Sequence, residues 1–65
     1  MKITVNDRDV DVDEDTTVAA LLESLGFPDK GVAVAVNWVV LPRSQWRSAV
    51  PADARVEVVT AVQGG

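Results

Sequence analysis

Apolar and polar residues alternate along the first dozen positions and then change period. Ile3 and Val5 point one way and Lys2 and Thr4 the other, the period of two of a half-buried strand. Asn6-Asp7-Arg8-Asp9 reads as a turn, because such side chains hydrogen-bond their own backbone. Val10 and Val12 then alternate with Asp9, Asp11 and Asp13, so the two stretches predict a β-hairpin with valines inward and carboxylates in water. From Val18 the period lengthens: Val18, Leu21, Leu22 and Leu25 fall at i, i+3, i+4 and i+7 and make one apolar helical stripe. Asp15, Thr16 and Thr17 offer N-cap oxygens, with acids suited to the helix dipole, and Gly26 and Pro28 stop the helix after about two and a half turns.

Val32 to Val36 alternates valine with alanine and predicts a strand with valines on one face. Asn37-Trp38 turns the chain into a short apolar segment, Val39 to Leu41, ended by Pro42. Residues 43–50 read as irregular or a single helical turn, with Trp46 in the core, and residues 51–54 as a loop. Arg55 to Thr60 is the last strand. One short helix covers one face of a mixed sheet, which is an α+β design. The element order matches the β-grasp, or ubiquitin-like, topology, in which the first and last strands lie parallel at the centre and the C-terminus projects past the sheet. The opposite face stays uncovered. Ala33 and Ala35, with some of Val39, Val40 and Leu41, are candidates for an apolar docking patch there.

Composition narrows the chemistry. The chain has 65 residues, enough for one small domain, and contains no His, Cys or Tyr. The commonest general base, the thiol nucleophile and most transition-metal ligand sets are therefore missing, and no disulfide framework is possible. Autonomous catalysis is not expected. The aspartates of the hairpin do not make a calcium loop: counting from Asp9, the positions that need Gly and Glu hold Glu14 and Ala20. The strand period accounts for them. A net charge of −4 argues against nucleic acid, and the acids concentrate in residues 1–29, an asymmetry that can steer the domain toward a basic partner. No apolar run approaches the roughly 20 residues of a membrane span, and the N-terminus does not read as a secretory leader, so a cytoplasmic protein is expected.

The remaining feature is the end of the chain, Ala61-Val62-Gln63-Gly64-Gly65. It divides the expected organisation into a folded body, residues 1–61, and a flexible reactive tail, residues 62–65. Two glycines make a thin segment with unrestricted φ, and from Val62 onward it can reach roughly 13 Å when extended. That reach suffices to insert the α-carboxylate of Gly65 into a partner's active site, with Val62, Gln63 and Gly64 contacting the partner on the way. A carboxylate resists nucleophilic attack until it is activated, for example by adenylation. A sulfur donor attacking the acyl-adenylate then leaves a terminal thiocarboxylate, a stronger nucleophile that can pass sulfur on.

Four stretches carry a resemblance to a known family: Thr16 to Leu22, Val34 to Asn37, Pro42 to Trp46, and above all Arg55 to Gly65, which joins the last strand directly to the tail. Over its whole length the chain resembles the ThiS family, the ubiquitin-like sulfur carrier proteins of thiamine biosynthesis. The resemblance implies a β-grasp fold and a 1-thioglycine thiocarboxylate at Gly65 that donates sulfur for thiazole formation. It also implies partners: a ThiF-like adenylyltransferase that uses ATP and magnesium, a sulfur donor such as a cysteine desulfurase, and thiazole synthase (ThiG). No cofactor bound to the chain itself is expected. The chain departs from the family at Asn37-Trp38, where Asn-Gly is common, and at Ala52-Asp53-Ala54, where the family has an Asp-Gly-Asp-like turn. Trp38 then either packs at the sheet edge, the expected placement, or stands exposed toward a partner. The small subunit of molybdopterin synthase shares the fold and the Gly-Gly end, but those proteins are generally longer and often carry prolines before the glycines. A ubiquitin-like modifier joined to target lysines is a further alternative, and a pure interaction module with an inert tail is another.

Overall fold

A computed structural model gives the fold, and it describes residues 1–28 and 30–60. Strand β1 (Lys2–Val5) and strand β2 (Arg8–Asp11) form an antiparallel hairpin with Ile3 opposite Val10 and Val5 opposite Arg8. The turn is tighter than the expected four residues. Asn6 and Asp7, at φ 50° and 68°, make a two-residue connection in the left-handed region, whose twist matches that of the flanking strands. The hairpin extends past its strands, since the Met1 ammonium donates to the Val12 carbonyl at 2.6 Å and Val12 N–H donates back to Met1.

Helix α1 (Val18–Ser24) is shorter than the apolar stripe suggests. Its start is fully satisfied: Thr17 Oγ1 accepts from Ala20 N–H at 3.1 Å, while Val18 and Ala19 N–H donate to the carbonyls of Ser48 and Trp46. No acid lies in its first turn, contrary to the expected dipole arrangement. At the other end Gly26, at φ 83°, lets Gly26 N–H reach Glu23 O and Phe27 N–H reach Leu22 O, a paired left-handed cap that closes the helix at the glycine the sequence marks as its stop, with Leu25 as the C-cap. Val18, Leu21 and Leu22 are buried, whereas Leu25 lies in the cap and stays 40% exposed.

Strands β3 (Val32–Val36), β4 (Val39–Val40) and β5 (Arg55–Thr60) complete a five-stranded sheet in the order β2-β1-β5-β3-β4. The β1–β5 pair is parallel and the other pairs are antiparallel, the β-grasp arrangement that the element order predicts. Val56 and Val58 of β5, Val34 of β3, and Ile3 and Val5 of β1 turn toward α1 and form the core with its three buried residues. A single turn of 3-10 helix, Arg43–Gln45, brings Trp46 back under the helix. Trp46 is 8% exposed, as the sequence predicts, and its indole N–H donates to Leu41 O at 3.1 Å, so the ring is buried without an orphaned donor. The segment 61–65 lies outside the described residues, and so does the expected boundary between body and tail.

Candidate functional site

The expected modified residue, Gly65, and the tail residues Val62, Gln63 and Gly64 all fall outside the described residues. What the structure does describe is the strand that leads into them. β5 lies between β1 and β3, and it is held differently on its two sides. On the β3 side the pairing runs the full length, from Val36 opposite Val56 to Val32 opposite Thr60. On the β1 side the main-chain ladder is short, with Thr4 opposite Arg55 and Val5 opposite Val56. Thr4 N–H donates to Ala54 O and Asn6 N–H to Val56 O, after which the chain turns away.

Two asparagine side chains continue what the main chain leaves off. Asn6 Nδ2 donates to Val58 O at 3.1 Å and Asn6 Oδ1 accepts from Val58 N–H at 2.8 Å, so one carboxamide meets both polar groups of one strand residue. Asn37 does part of this at the other end. Its Oδ1 accepts from Arg55 N–H at 2.9 Å, and its own N–H donates to Arg55 O at 2.8 Å. Both asparagines occupy the first position of a left-handed two-residue turn, Asn6-Asp7 and Asn37-Trp38, where Asn is favoured because it tolerates positive φ. Sequence reasoning placed both turns but assigned neither clamp. The signal was present as a repeated Val-Asn at the ends of β1 and β3, residues 5–6 and 36–37.

The face of the sheet away from α1 is open. By the alternation of the strands it carries Ala33, Ala35, Val40 and Val59, with Arg55 and Glu57 in the centre. Val59 and Val40 are 65% and 72% exposed. Trp38 does not pack at the edge as expected. It is 74% exposed at φ 71°, and the Arg55 guanidinium lies 4.7 Å from its ring centroid. Arg55 also pairs with Asp7 and Glu57 at 2.8 Å each, so it links both turns at the start of β5. The Asp7 pair is exposed and the Glu57 pair half-buried, and partly solvated pairs of this kind contribute little to stability.

Elsewhere the described surface offers no catalytic grouping. Ser24, in a shallow groove with Asp11, Asp13 and Thr16, donates its hydroxyl to Leu21 O at 2.8 Å and serves the helix end. Among the described residues no three acidic side chains converge as a metal site would need, and no helix is long and apolar enough to cross a membrane.

Comparison with known proteins adds what the geometry does not contain. The family model for the ThiS family matches residues 1–65. The chain belongs to the ThiS family. Among solved structures, it is similar to the crystal structure of a thiamine biosynthesis protein (ThiS) from Geobacter metallireducens, at 32% identity and a TM-score of 0.79, covering 100% of both chains. It is equally similar to the solution structure of a thiamine biosynthesis protein from the same organism, at 32% identity and a TM-score of 0.78, covering 100% of this chain and 88% of the other. The comparison with curated proteins finds no match. The ThiS match and these two likenesses extend across the whole body, so the fold and the family agree with the β-grasp and ThiS expectations read from the residues.

Proposed function

We propose that this chain is the sulfur carrier of a thiamine biosynthesis pathway and that its working group is the α-carboxylate of Gly65. The observation that carries the reading is the ThiS-family match over residues 1–65, which takes in the Gly64-Gly65 end. A partner adenylyltransferase, using ATP and magnesium, joins the Gly65 carboxylate to AMP and releases pyrophosphate. A sulfur donor, a persulfide supplied ultimately by a cysteine desulfurase, attacks the acyl-adenylate carbonyl carbon and displaces AMP to give an acyl disulfide. A thiol pair then reduces its S–S bond, leaving the thiocarboxylate on Gly65 and a disulfide on the thiols. Thiazole synthase then accepts the sulfur. The body supplies no proton-transfer group or nucleophile to these steps, consistent with a chain that lacks His and Cys. It is a substrate that other proteins act on.

The activating enzyme docks over the open sheet face near the end of β5. Gly65 is six positions beyond Val59, so the enzyme that holds Gly65 lies within roughly 20 Å of Val59 by the extended reach of the chain. The exposed apolar side chains within that radius are the contacts available to it. Incubation with an active adenylyltransferase, ATP and a sulfur source is expected to exchange one oxygen for sulfur, a mass gain that localises to Gly65. No gain with a demonstrably active enzyme overturns the reading.

A further inference from the structure

Where β1 ends, the sheet's hold on β5 passes from main chain to one side chain. Asn6 N–H makes the last main-chain bond from this side, to Val56 O, and the chain then turns off at φ 50°. A parallel ladder continuing past this point would bond the N–H and C=O of Val58 to β1 main chain. The Asn6 carboxamide substitutes for it, accepting at 2.8 Å and donating at 3.1 Å. Beyond Val58, residues Val59 and Thr60 have a strand only on the β3 side. The Asn6 carboxamide is therefore the last described β1-side contact on β5 before the residues that lead to Gly65.

We infer that Asn6 is a positioning residue for the activation of Gly65: its carboxamide fixes the later part of β5, the strand that leads to Gly65. This rests on the carrier reading above. A tail launched from a fixed strand has less conformational freedom to lose when an enzyme takes it up, and such preorganisation lowers the cost of binding and not the barrier of the chemical step. Loss of the clamp thus raises the KM for the carrier and leaves kcat unchanged.

The test uses Asn6→Gly in the full chain. Glycine accepts the positive φ of this turn, so the hairpin keeps its geometry and only the carboxamide is removed. Asn37→Gly is the control, because it removes the other asparagine's carboxamide bond to β5, at Arg55, the end away from the tail. Two measurements are made. Amide hydrogen exchange at Val58 is expected to speed up by about tenfold in Asn6→Gly, the factor that corresponds to a loss of about 1.4 kcal/mol of local stability. In adenylation assays the KM for Asn6→Gly is expected to rise about three- to tenfold at constant kcat, with Asn37→Gly staying at the wild-type KM. An unchanged KM in Asn6→Gly overturns the inference, as does an equal rise in Asn37→Gly, which would make the effect one of general stability. Unchanged exchange at Val58 overturns it as well. Wild-type protein that gains no sulfur overturns the carrier reading and the inference with it, whereas an activated wild type with an unaltered variant KM overturns the inference alone.

Discussion

Replacing Trp38 by glycine removes the largest exposed side chain of the molecule and is expected to leave its stability almost unchanged. Two costs and one gain decide this. The ring lies under the Arg55 guanidinium at 4.7 Å, an exposed cation–π contact that contributes about 0.5–1 kcal/mol. Glycine also has more freedom to lose on folding, which costs about 0.5–1 kcal/mol. Against these, Trp38 sits at φ 71°, and an L-residue held in the left-handed region carries about 1–2 kcal/mol of strain that glycine relieves. The sum lies within about 1 kcal/mol of zero, since the ring is 74% exposed and adds little burial. Trp46→Ala provides the contrast. That ring is 8% exposed, is hydrogen-bonded to Leu41 O and packs in the core, so its truncation costs about 3–5 kcal/mol. Urea unfolding of both variants, followed by circular dichroism, gives the comparison, with midpoint shifts converted through the common slope. A loss above about 2 kcal/mol in Trp38→Gly would show that the ring packs against the body in a way the described contacts do not contain.

Thr17→Ala removes the oxygen that accepts from Ala20 N–H and is expected to cost about 1 kcal/mol, read as a lower urea midpoint with an unchanged slope. Leu21→Ala opens a cavity at a fully buried helix position and is expected to cost about 2–5 kcal/mol, enough to unfold much of so small a domain at 37 °C in a thermal melt. On the carrier reading, Gly64→Val is expected to leave the melting temperature unchanged and to slow sulfur loading of Gly65, because a Cβ and two methyls widen a segment that this reading has entering an enzyme channel; loading at the wild-type rate would show that tail thinness is not required.

The strands were legible because their signal is the period of the apolar residues, and their order followed from matching the sequence of elements to the β-grasp topology. Ile3 and Val5, Val32 to Val36, and Arg55 to Thr60 each fall where that period puts them. The helix was legible in kind and in its stop. Gly26 at φ 83° ends it as the sequence predicts, and Leu25, the last residue of the stripe, becomes the C-cap, its N–H still bonded to Leu21 O but its side chain 40% exposed. Trp38 was misplaced for a related reason. A bulky aromatic normally implies burial, but the two-residue turn that joins β3 to β4 fixes where its side chain can point, and that direction is toward Arg55 and solvent. The clamps on β5 were not legible, because whether Asn6 bonds its own turn or a strand 52 residues later is decided by the parallel β1–β5 register, which no local pattern encodes.

Both turns with an asparagine at their first position grip the same strand, and the tertiary structure explains why that strand needs them. β5 is central and its Val56 and Val58 are core residues, yet the β1 ladder pairs only its first two residues, Arg55 and Val56. A longer β1 would pair Val58 directly, but it would also move the hairpin turn along the sheet toward the end where the chain leaves β5. Turning at Asn6 keeps that end clear on the β1 side, and a side chain supplies the two missing hydrogen bonds with far less bulk than a strand. On the carrier reading that clearance is what an enzyme enclosing the tail requires. An Asn6→Gly chain therefore separates two properties that the turn at Asn6 supplies together: clearance beside the end of β5, which it keeps, and the side-chain hold on Val58, which it loses.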